Sequence, residues 1–195
     1  MPRGTDQTSS RNQFRVFGPF ELRYLKNSKS TLDAEGSEVA IKEQIRRDYP
    51  NDNLTVKGGC YVFAIRTGGK GAKGGSYMPW YVGKAFKTSL LDESLNSEKY
   101  KKCYFKVAAT EHGTPVLFWI AKAMPGHKNL LDKDEIRQME QELIKAAALR
   151  NPRLMNKHHN GQLPFEILGV PLGAQSHPRA KKGAAKWMWT MLRSN

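Results

Sequence analysis

Residues 58–84 constrain the fold most, because two apolar runs there flank a loop of glycine, lysine and serine. The runs cover residues 60–65 and 80–83. β-branched and aromatic runs bounded by glycine and proline are typical of strands, and the glycine-rich middle is typical of their connection. Side chains alternate between the two faces of a strand, so Tyr61 and Tyr81 can share one face. The pattern predicts a hairpin that holds two phenols close together.

The remaining patterns complete an α/β fold. The apolar run at 114–121 predicts a third, buried strand. Period-two alternation at 14–24 predicts two short extended segments around a break at Gly18 and Pro19. Helices are predicted at 37–49 with Ser37 as the cap, at 90–95, at 100–107 and at 133–150. Together these elements predict a small, mostly antiparallel three-stranded sheet flanked by helices.

The length of 195 residues favours one domain. Residues 1–13 are polar, and we expect them to be disordered. Residues 14–195 then form the domain, with its motifs at 58–160, an extension at 14–57 and a basic segment at 161–195. The end of that segment carries Trp187 and Trp189, which predicts a docked terminal helix.

The formal net charge of +14 favours a polyanionic partner, most simply nucleic acid. The alternative is a basic protein without such a partner. Two cysteines form no disulfide framework or metal-ligand spacing, which favours a reducing compartment. No apolar run is long enough to span a membrane, and residues 1–10 lack the apolar core of a signal peptide. We expect a cytoplasmic protein with no membrane partner.

Glu140 is unusual because it falls within the apolar stripe of the long predicted helix. The stripe consists of Ile136, Met139, Leu143, Ile144 and Ala147. A carboxylate on an apolar face is costly unless it is paired, protonated or bound to a cation. Glu140 therefore predicts either a structural ion pair or a metal site, whereas Glu135 and Glu142 fall outside the stripe.

Several basic residues are candidates for binding a phosphate backbone. They are Lys70 and Lys73 in the glycine-rich loop, Lys99, Lys101 and Lys102 on a helix, Arg153, and Lys181 and Lys182 near the C-terminus. For the helix, a solvated surface is the usual meaning of such a run. For the loop, a cationic flap and an elongated solvent-exposed hairpin remain equally open.

The ordered set of motifs resembles the GIY-YIG nuclease family. Gly59-Cys-Tyr61 and Tyr81-Val-Gly83 are similar to its two tyrosine motifs, and Glu140, three residues before Leu143, is similar to its helix motif. Asn156, after Pro152 and Arg153, is similar to its closing asparagine. The resemblance covers roughly residues 58–160. Residues 17–22 are in addition similar to a poorly characterised bacterial branch of this family.

The resemblance implies hydrolysis of phosphodiester bonds in nucleic acid, with DNA favoured, by a site with one Mg²⁺ (or Mn²⁺) ion. It implies that Glu140 binds the metal, Tyr61 acts as general base, Tyr81 orients the water and Asn156 braces the site. For each tyrosine, the alternative is a core residue whose hydroxyl is hydrogen-bonded.

The chain departs from the family pattern in two ways: the connection between Tyr61 and Tyr81 is longer than the family's usual one, and one charged position differs. The family carries an arginine ten residues after its second tyrosine, where this chain has Leu91. Lys84 or Lys87 could replace that cation, and Arg66 and Arg153 are further candidates. The departure leaves two other functions open: a nucleic-acid-binding module of the same fold with weakened cleavage, or a structural protein that binds a partner through Trp187 and Trp189.

Overall fold

The computed structural model describes residues 12–28, 30–52, 54, 58–68, 75–122, 133–156, 165–167 and 183–192. The strands are β1 (Asn12–Glu21), β2 (Arg23–Tyr24), β3 (Leu32–Asp33), β4 (Gly59–Thr67), β5 (Ser76–Ala85), β6 (Thr114–Lys122) and β7 (Phe165–Ile167). The helices are α1 (Ala34–Asp48), α2 (Leu90–Ser94), α3 (Ser97–Lys99), α4 (Phe105–Thr110), α5 (Lys133–Arg150) and α6 (Gly183–Leu192), with a π-helical turn at Tyr100–Tyr104 between α3 and α4. The mixed α and β architecture agrees with the prediction.

The main sheet has the order β5-β4-β6-β1-β7, so the predicted three-stranded sheet is too small. Its first four strands are antiparallel, and the short β7 pairs parallel to β1. The predicted core of the sheet is present as β5, β4 and β6. The sheet is larger because β1 pairs along the outer side of β6.

The break predicted at Gly18 and Pro19 is a bulge inside one strand. The register of β1 on β6 shifts between Phe17 and Phe20, and pairing resumes beyond the shift. Gly18 has φ +105, and a Cβ there would lie 2.8 Å from the Leu117 carbonyl oxygen. A β-bulge absorbs an extra residue without ending a strand, so the two predicted segments form a single β1.

The sheet carries an apolar core on each face. One core joins α5 and α6 to alternate residues of the strands, including Cys60, Val62 and Val82. The other core joins α1, α2, α4 and the π-helical turn to the intervening residues, including Tyr61 and Phe63. The central strand β6 is buried on both faces, as its continuous apolar run predicted.

Helix α5 has the predicted bounds, and the predicted apolar stripe is buried. Glu135, which falls outside that stripe on a helical wheel, is nevertheless only 8% exposed. Asp132 and Glu135 have the spacing that predicts an N-cap before α5, but Asp132 lies outside the described residues. Asp33 caps α1 through a hydrogen bond from Gly36 N, so the predicted cap at Ser37 is wrong. Ser37 instead lies buried in the first turn of α1.

The docked terminal helix is confirmed as α6, which contributes Ala184, Met188, Met191 and Leu192 to the first core. Trp187 packs against that core, with its ring 5.9 Å from the Tyr77 ring. Trp187 is thus partly buried, and the side chain of Trp189 lies outside the described residues. Of the helices within the described ranges, none is both long and apolar enough for a transmembrane span.

Candidate active site at the edge of the sheet

The β4–β5 hairpin brings the two tyrosines together, as predicted. Their ring centroids are 6.2 Å apart, and the rings are tilted by 42°. Tyr61 pairs with Gly83 across the hairpin, and Tyr81 pairs with Phe63. A Cβ at Gly83 would lie 2.3 Å from both Cζ and Oη of Tyr61. The glycine of the second motif therefore provides the space that the first phenol occupies.

Tyr61 does not reach the surface. It is fully buried in the core beneath α2 and the π-helical turn. Burial raises the pKa of the Tyr61 phenol far above its ordinary value, and the Tyr81 phenol and the Glu93 carboxylate add to this effect. A phenol in this position stays protonated and cannot meet solvent, so the structure does not place Tyr61 as an exposed general base.

Tyr81 lies at the wall of an open cavity of about 420 Å³ on the β5 side of the sheet. The cavity is lined by Tyr81, Lys84, Ala85, Phe86, Lys87, Thr88, Glu93, Lys99 and Glu140. Four residues predicted for catalysis therefore meet here: Tyr81, Lys84, Lys87 and Glu140. Tyr61, which the resemblance implies as the general base, does not line this cavity, because it packs into the interior of the second core.

Glu140 and Tyr81 approach this cavity from opposite faces of the sheet. Glu140 is on α5, which packs on the first core, whereas Tyr81 packs against the second. They meet because β5 is the edge strand, so side chains from both faces can reach around it. Convergence of this kind cannot be read from strand alternation.

Glu140 forms an ion pair with Lys84. Lys84 Nζ donates a hydrogen bond to Glu140 Oε2, and the two side chains are 31% and 15% exposed. Lys84 lies opposite Cys60 in the β4–β5 register and so points to the face that α5 covers. The sequence predicts either an ion pair or a metal site for Glu140, and the structure contains the ion pair.

Lys99 is part of the cavity wall, although the sequence suggested only a phosphate-binding surface for it. Lys99 Nζ donates to the Tyr81 hydroxyl oxygen at 3.2 Å and lies 3.9 Å from Glu93 Oε1. Partial burial alone lowers the pKa of Lys99, but the Tyr81 phenol and the carboxylates of Glu93 and Glu98 outweigh burial and raise it. Lys99 is therefore a persistent cation beside Tyr81.

Glu93 is the residue that the sequence analysis missed. It belongs to the first turn of α2, where an acidic residue favours the helix N-terminus and carries no functional signal. Only the packing of α2 against β5 shows that its carboxylate lines the cavity. No spacing in the sequence links Glu93 to Lys99 or Glu140.

Asn156 braces the site through the backbone of β5. Its Oδ1 accepts from Val82 N at 2.8 Å, and its Nδ2 donates to Val82 O at 2.7 Å. Asn151 Nδ2 donates to Pro79 O at 2.7 Å, and Met155 N donates to Trp80 O at 3.1 Å. Residues 151–156 thus cover the outer edge of β5 on either side of Tyr81. Asn156 positions Tyr81 and does not line the cavity.

No arginine lines the cavity in the part of the chain that the structure describes. Leu91, at the position of the family's arginine, is only 4% exposed and packs in the second core. Arg66 is buried and pairs with Glu21 at 2.7 Å. Arg153 lies 4.6 Å from the Trp80 ring and pairs with Glu111 at 3.0 Å. The cations at the cavity are Lys84, Lys87 and Lys99.

The remaining basic candidates are not part of the cavity wall. Lys101 and Lys102 are exposed on the π-helical turn, and Lys102 pairs with Glu98 at 2.5 Å. Lys70, Lys73, Lys181 and Lys182 lie outside the described residues.

The cavity wall offers oxygen donors of the kind that a hard divalent cation prefers, from the carboxylates of Glu93 and Glu140. Groups of three or more His, Cys, Asp or Glu side chains suited to a metal do not occur among the residues described. Magnesium, however, commonly uses one or two carboxylates and keeps several waters for exchange with substrate phosphate. Glu140 can supply that carboxylate when Lys84 releases it.

Comparisons with protein-family models, curated proteins and solved structures find no match for this chain.

Proposed function

We propose that this protein is a GIY-YIG-like, Mg²⁺- or Mn²⁺-dependent endonuclease that hydrolyses phosphodiester bonds of nucleic acid, with DNA as the favoured substrate. One observation carries the proposal: a phenol, two carboxylates and three ammonium groups converge on one open cavity, from Tyr81, Glu93, Glu140, Lys84, Lys87 and Lys99. The net charge of +14 supports a polyanionic substrate.

The lysines of the cavity would bind and orient the phosphate. An ammonium group has three donors and no acceptor, so Lys87 and Lys84 can each donate to phosphate oxygens. The Tyr81 oxygen accepts one hydrogen bond from Lys99, and its second lone pair can take a proton from the attacking water while its own proton passes to a phosphate oxygen. Tyr81 therefore takes the position at the reacting atoms that the family resemblance assigned to Tyr61.

A divalent cation on Glu140 would act as a Lewis acid toward the phosphate oxygen. The buried Tyr61 would support Tyr81 from below, and Asn156 would hold the β5 backbone beside it. Tyr61 and Asn156 are thus positioning residues, and Tyr81 and the lysines are the groups that contact substrate.

A plasmid assay tests the proposal. The full chain should nick supercoiled DNA in Mg²⁺ and not in EDTA. Glu140→Gln should abolish nicking because Gln is a much poorer cation ligand at the same shape. Glu142→Gln is the matched control, since Glu142 lies on the same helix and pairs with Lys145 away from the cavity wall. Equal nicking by both variants and the unchanged protein would contradict the proposal.

A second function, binding of nucleic acid without efficient cleavage, is favoured by two observations. Leu91 is buried at the position where the family has its arginine, and Lys84 forms an ion pair with the carboxylate of Glu140. Loss of one cation that stabilises a transition state can cost on the order of 10²–10³ in rate. A protein that binds DNA with a steep salt dependence, but never nicks it in Mg²⁺ or Mn²⁺, would have this second function.

A further inference from the structure

The Lys84 ammonium group on β5 forms an ion pair with the Glu140 carboxylate, which a divalent cation would need as its ligand. Lys84 Nζ donates to Glu140 Oε2 at the cavity wall, and the Lys84 side chain is 31% exposed. Because this ammonium is partly solvated and sits on a flexible four-carbon stem, it can leave the carboxylate without disturbing the sheet. The pair is an exchangeable contact between two elements of the site.

A divalent cation that binds alone meets a penalty here. It must displace Lys84 from Glu140, and the released ammonium then lies beside a dication in the same cavity. Lys87 and Lys99 line this cavity and add to the positive potential, which the Glu93 carboxylate beside Lys99 offsets only in part. Like charges at short range disfavour one another. Without a phosphate, the cavity is therefore a poor site for a cation.

A phosphate anion removes that penalty. Lys87 makes no ion pair within the described ranges and is exposed, so it can receive an incoming phosphate without breaking a contact. Lys84 can then transfer its hydrogen bond from the Glu140 carboxylate to a phosphate oxygen. The carboxylate becomes available, and the anion offsets the charge of the cation that binds to it.

We infer that the cavity takes up a phosphodiester and a divalent cation as a coupled pair, with Lys84 exchanging Glu140 for the phosphate. This inference rests on the proposed function, because it uses the same cation and substrate class. Coupling is reciprocal, so the phosphate raises cation affinity by the same factor by which the cation raises phosphate affinity. Coupling between two sites is typically roughly 5–150-fold.

The test measures Mn²⁺ affinity from the electron paramagnetic resonance of the free ion. The full chain is titrated with dimethyl phosphate, a diester monoanion that resists hydrolysis, and separately with trimethyl phosphate, its neutral analogue, at matched ionic strength. We expect Mn²⁺ affinity to rise at least about fivefold with dimethyl phosphate and to stay constant with trimethyl phosphate. Equal affinity in both arms overturns the inference.

Two variants identify the residue responsible. Lys84→Gln should bind Mn²⁺ more tightly than the unchanged protein when phosphate is absent, and should lose most of the coupling. Lys106→Gln removes the same charge from an exposed position outside the cavity wall and should retain it. Weaker Mn²⁺ binding by Lys84→Gln overturns the assignment. If Lys84→Gln does not fold, the comparison of the two phosphates still decides.

The result also separates this inference from the proposed function. Mn²⁺ binding and plasmid nicking without any effect of dimethyl phosphate would overturn the coupling and leave the nuclease proposal standing. The absence of both Mn²⁺ binding and nicking would overturn both.

Discussion

At the scale of single residues, the site depends on a close approach between Gly83 and Tyr61. The phenol of Tyr61 lies where a side chain at position 83 would begin. Tyr61 is fully buried and cannot rotate away into solvent. The glycine therefore determines how deeply Tyr61 is buried. It thereby also determines how the Tyr61 ring packs against Tyr81, which lies two residues before Gly83.

Gly83→Ala should destabilise the protein by about 1–3 kcal/mol, because a methyl group 2.3 Å from Tyr61 Cζ overpacks the second core. Urea unfolding followed by circular dichroism measures the change. In the Tyr61→Leu background, Gly83→Ala should lower the free energy of unfolding by less than it does in the unchanged protein, because the ring that the methyl group contacts is absent. A wild-type midpoint for Gly83→Ala would show that Tyr61 has room to move.

The two tyrosines should differ in their effect on cleavage. Tyr81→Phe removes the hydroxyl that lines the cavity and should lower nicking by at least the 10²-fold typical of a lost acid–base or donor group. Tyr61→Phe removes a fully buried hydroxyl that cannot reach solvent, and should retain most of the activity. Rates of plasmid nicking at saturating Mg²⁺ provide the comparison. A larger loss for Tyr61→Phe would return the general-base role to Tyr61.

At the scale of elements, the edge strand β5 is the part of the sheet that carries the site. Edge strands expose unpaired backbone groups that natural proteins cover or protect. Residues 151–156 provide that cover here, through side-chain amides at both ends and a backbone donor between them. The segment follows α5 directly, so the helix that carries Glu140 also supplies the support of Tyr81.

Asn156→Ala should cost about 1–3 kcal/mol, because it leaves Val82 N and Val82 O without the amide that pairs with them. Amide hydrogen exchange of Val82 is the sensitive measurement, and its protection should fall while that of Val62 persists. Asn151→Ala is the matched control, since its amide pairs with Pro79 and not with Val82. Unchanged exchange at Val82 in Asn156→Ala would show that another group covers this edge.

At the scale of the whole molecule, burial of tyrosines links stability to pH. Burial raises the pKa of Tyr100 to about 12 and raises those of Tyr61 and Tyr104 well above their ordinary value. The folded protein thus keeps protons that the unfolded chain releases near pH ~10. Stability is therefore fully present below pH ~10 and falls as the pH rises above it.

We expect alkaline unfolding to coincide with the ionisation of these three phenols and of the equally buried Tyr77, whose pKa burial also raises, out of the seven tyrosines. Absorbance of phenolate near pH ~10 should show only the accessible tyrosines, and the rest should ionise together with loss of the circular dichroism signal. Independent titration of all seven tyrosines around pH ~10, before any unfolding, would contradict the burial that the structure shows.

The excess positive charge should appear as a steep salt dependence of DNA binding. Each lost phosphate contact lowers the slope by about 0.9 on a double-logarithmic plot. Lys101→Gln with Lys102→Gln should lower the slope if this exposed pair extends the binding surface from the cavity, and Lys106→Gln tests a more distant charge. Fluorescence anisotropy of a short labelled duplex gives the slopes. Slopes equal to that of the unchanged protein would assign Lys101 and Lys102 to solubility alone.

The local elements followed from the sequence because their patterns depend on neighbours in the chain. The bounds of α5 and its buried stripe, the buried strand β6 and the β4–β5 hairpin are all set by hydrophobic period and by turn residues. The docked α6 was likewise predicted from its apolar composition.

The tertiary structure alone decided the rest of the sheet and the environment of each functional group. Periodicity cannot choose a partner strand, so the pairing of β1 with β6 across its bulge was missed. Strand alternation predicts that Tyr61 and Tyr81 share one face of the sheet. It does not predict how deeply each is buried, because burial depends on the helices that pack on that face. Lys84 and Glu140 are 56 positions apart, and Glu93 and Lys99 belong to neighbouring helices. The packing of α2, α3 and α5 against β5 sets which charges meet at this edge, and no local pattern in the chain encodes it.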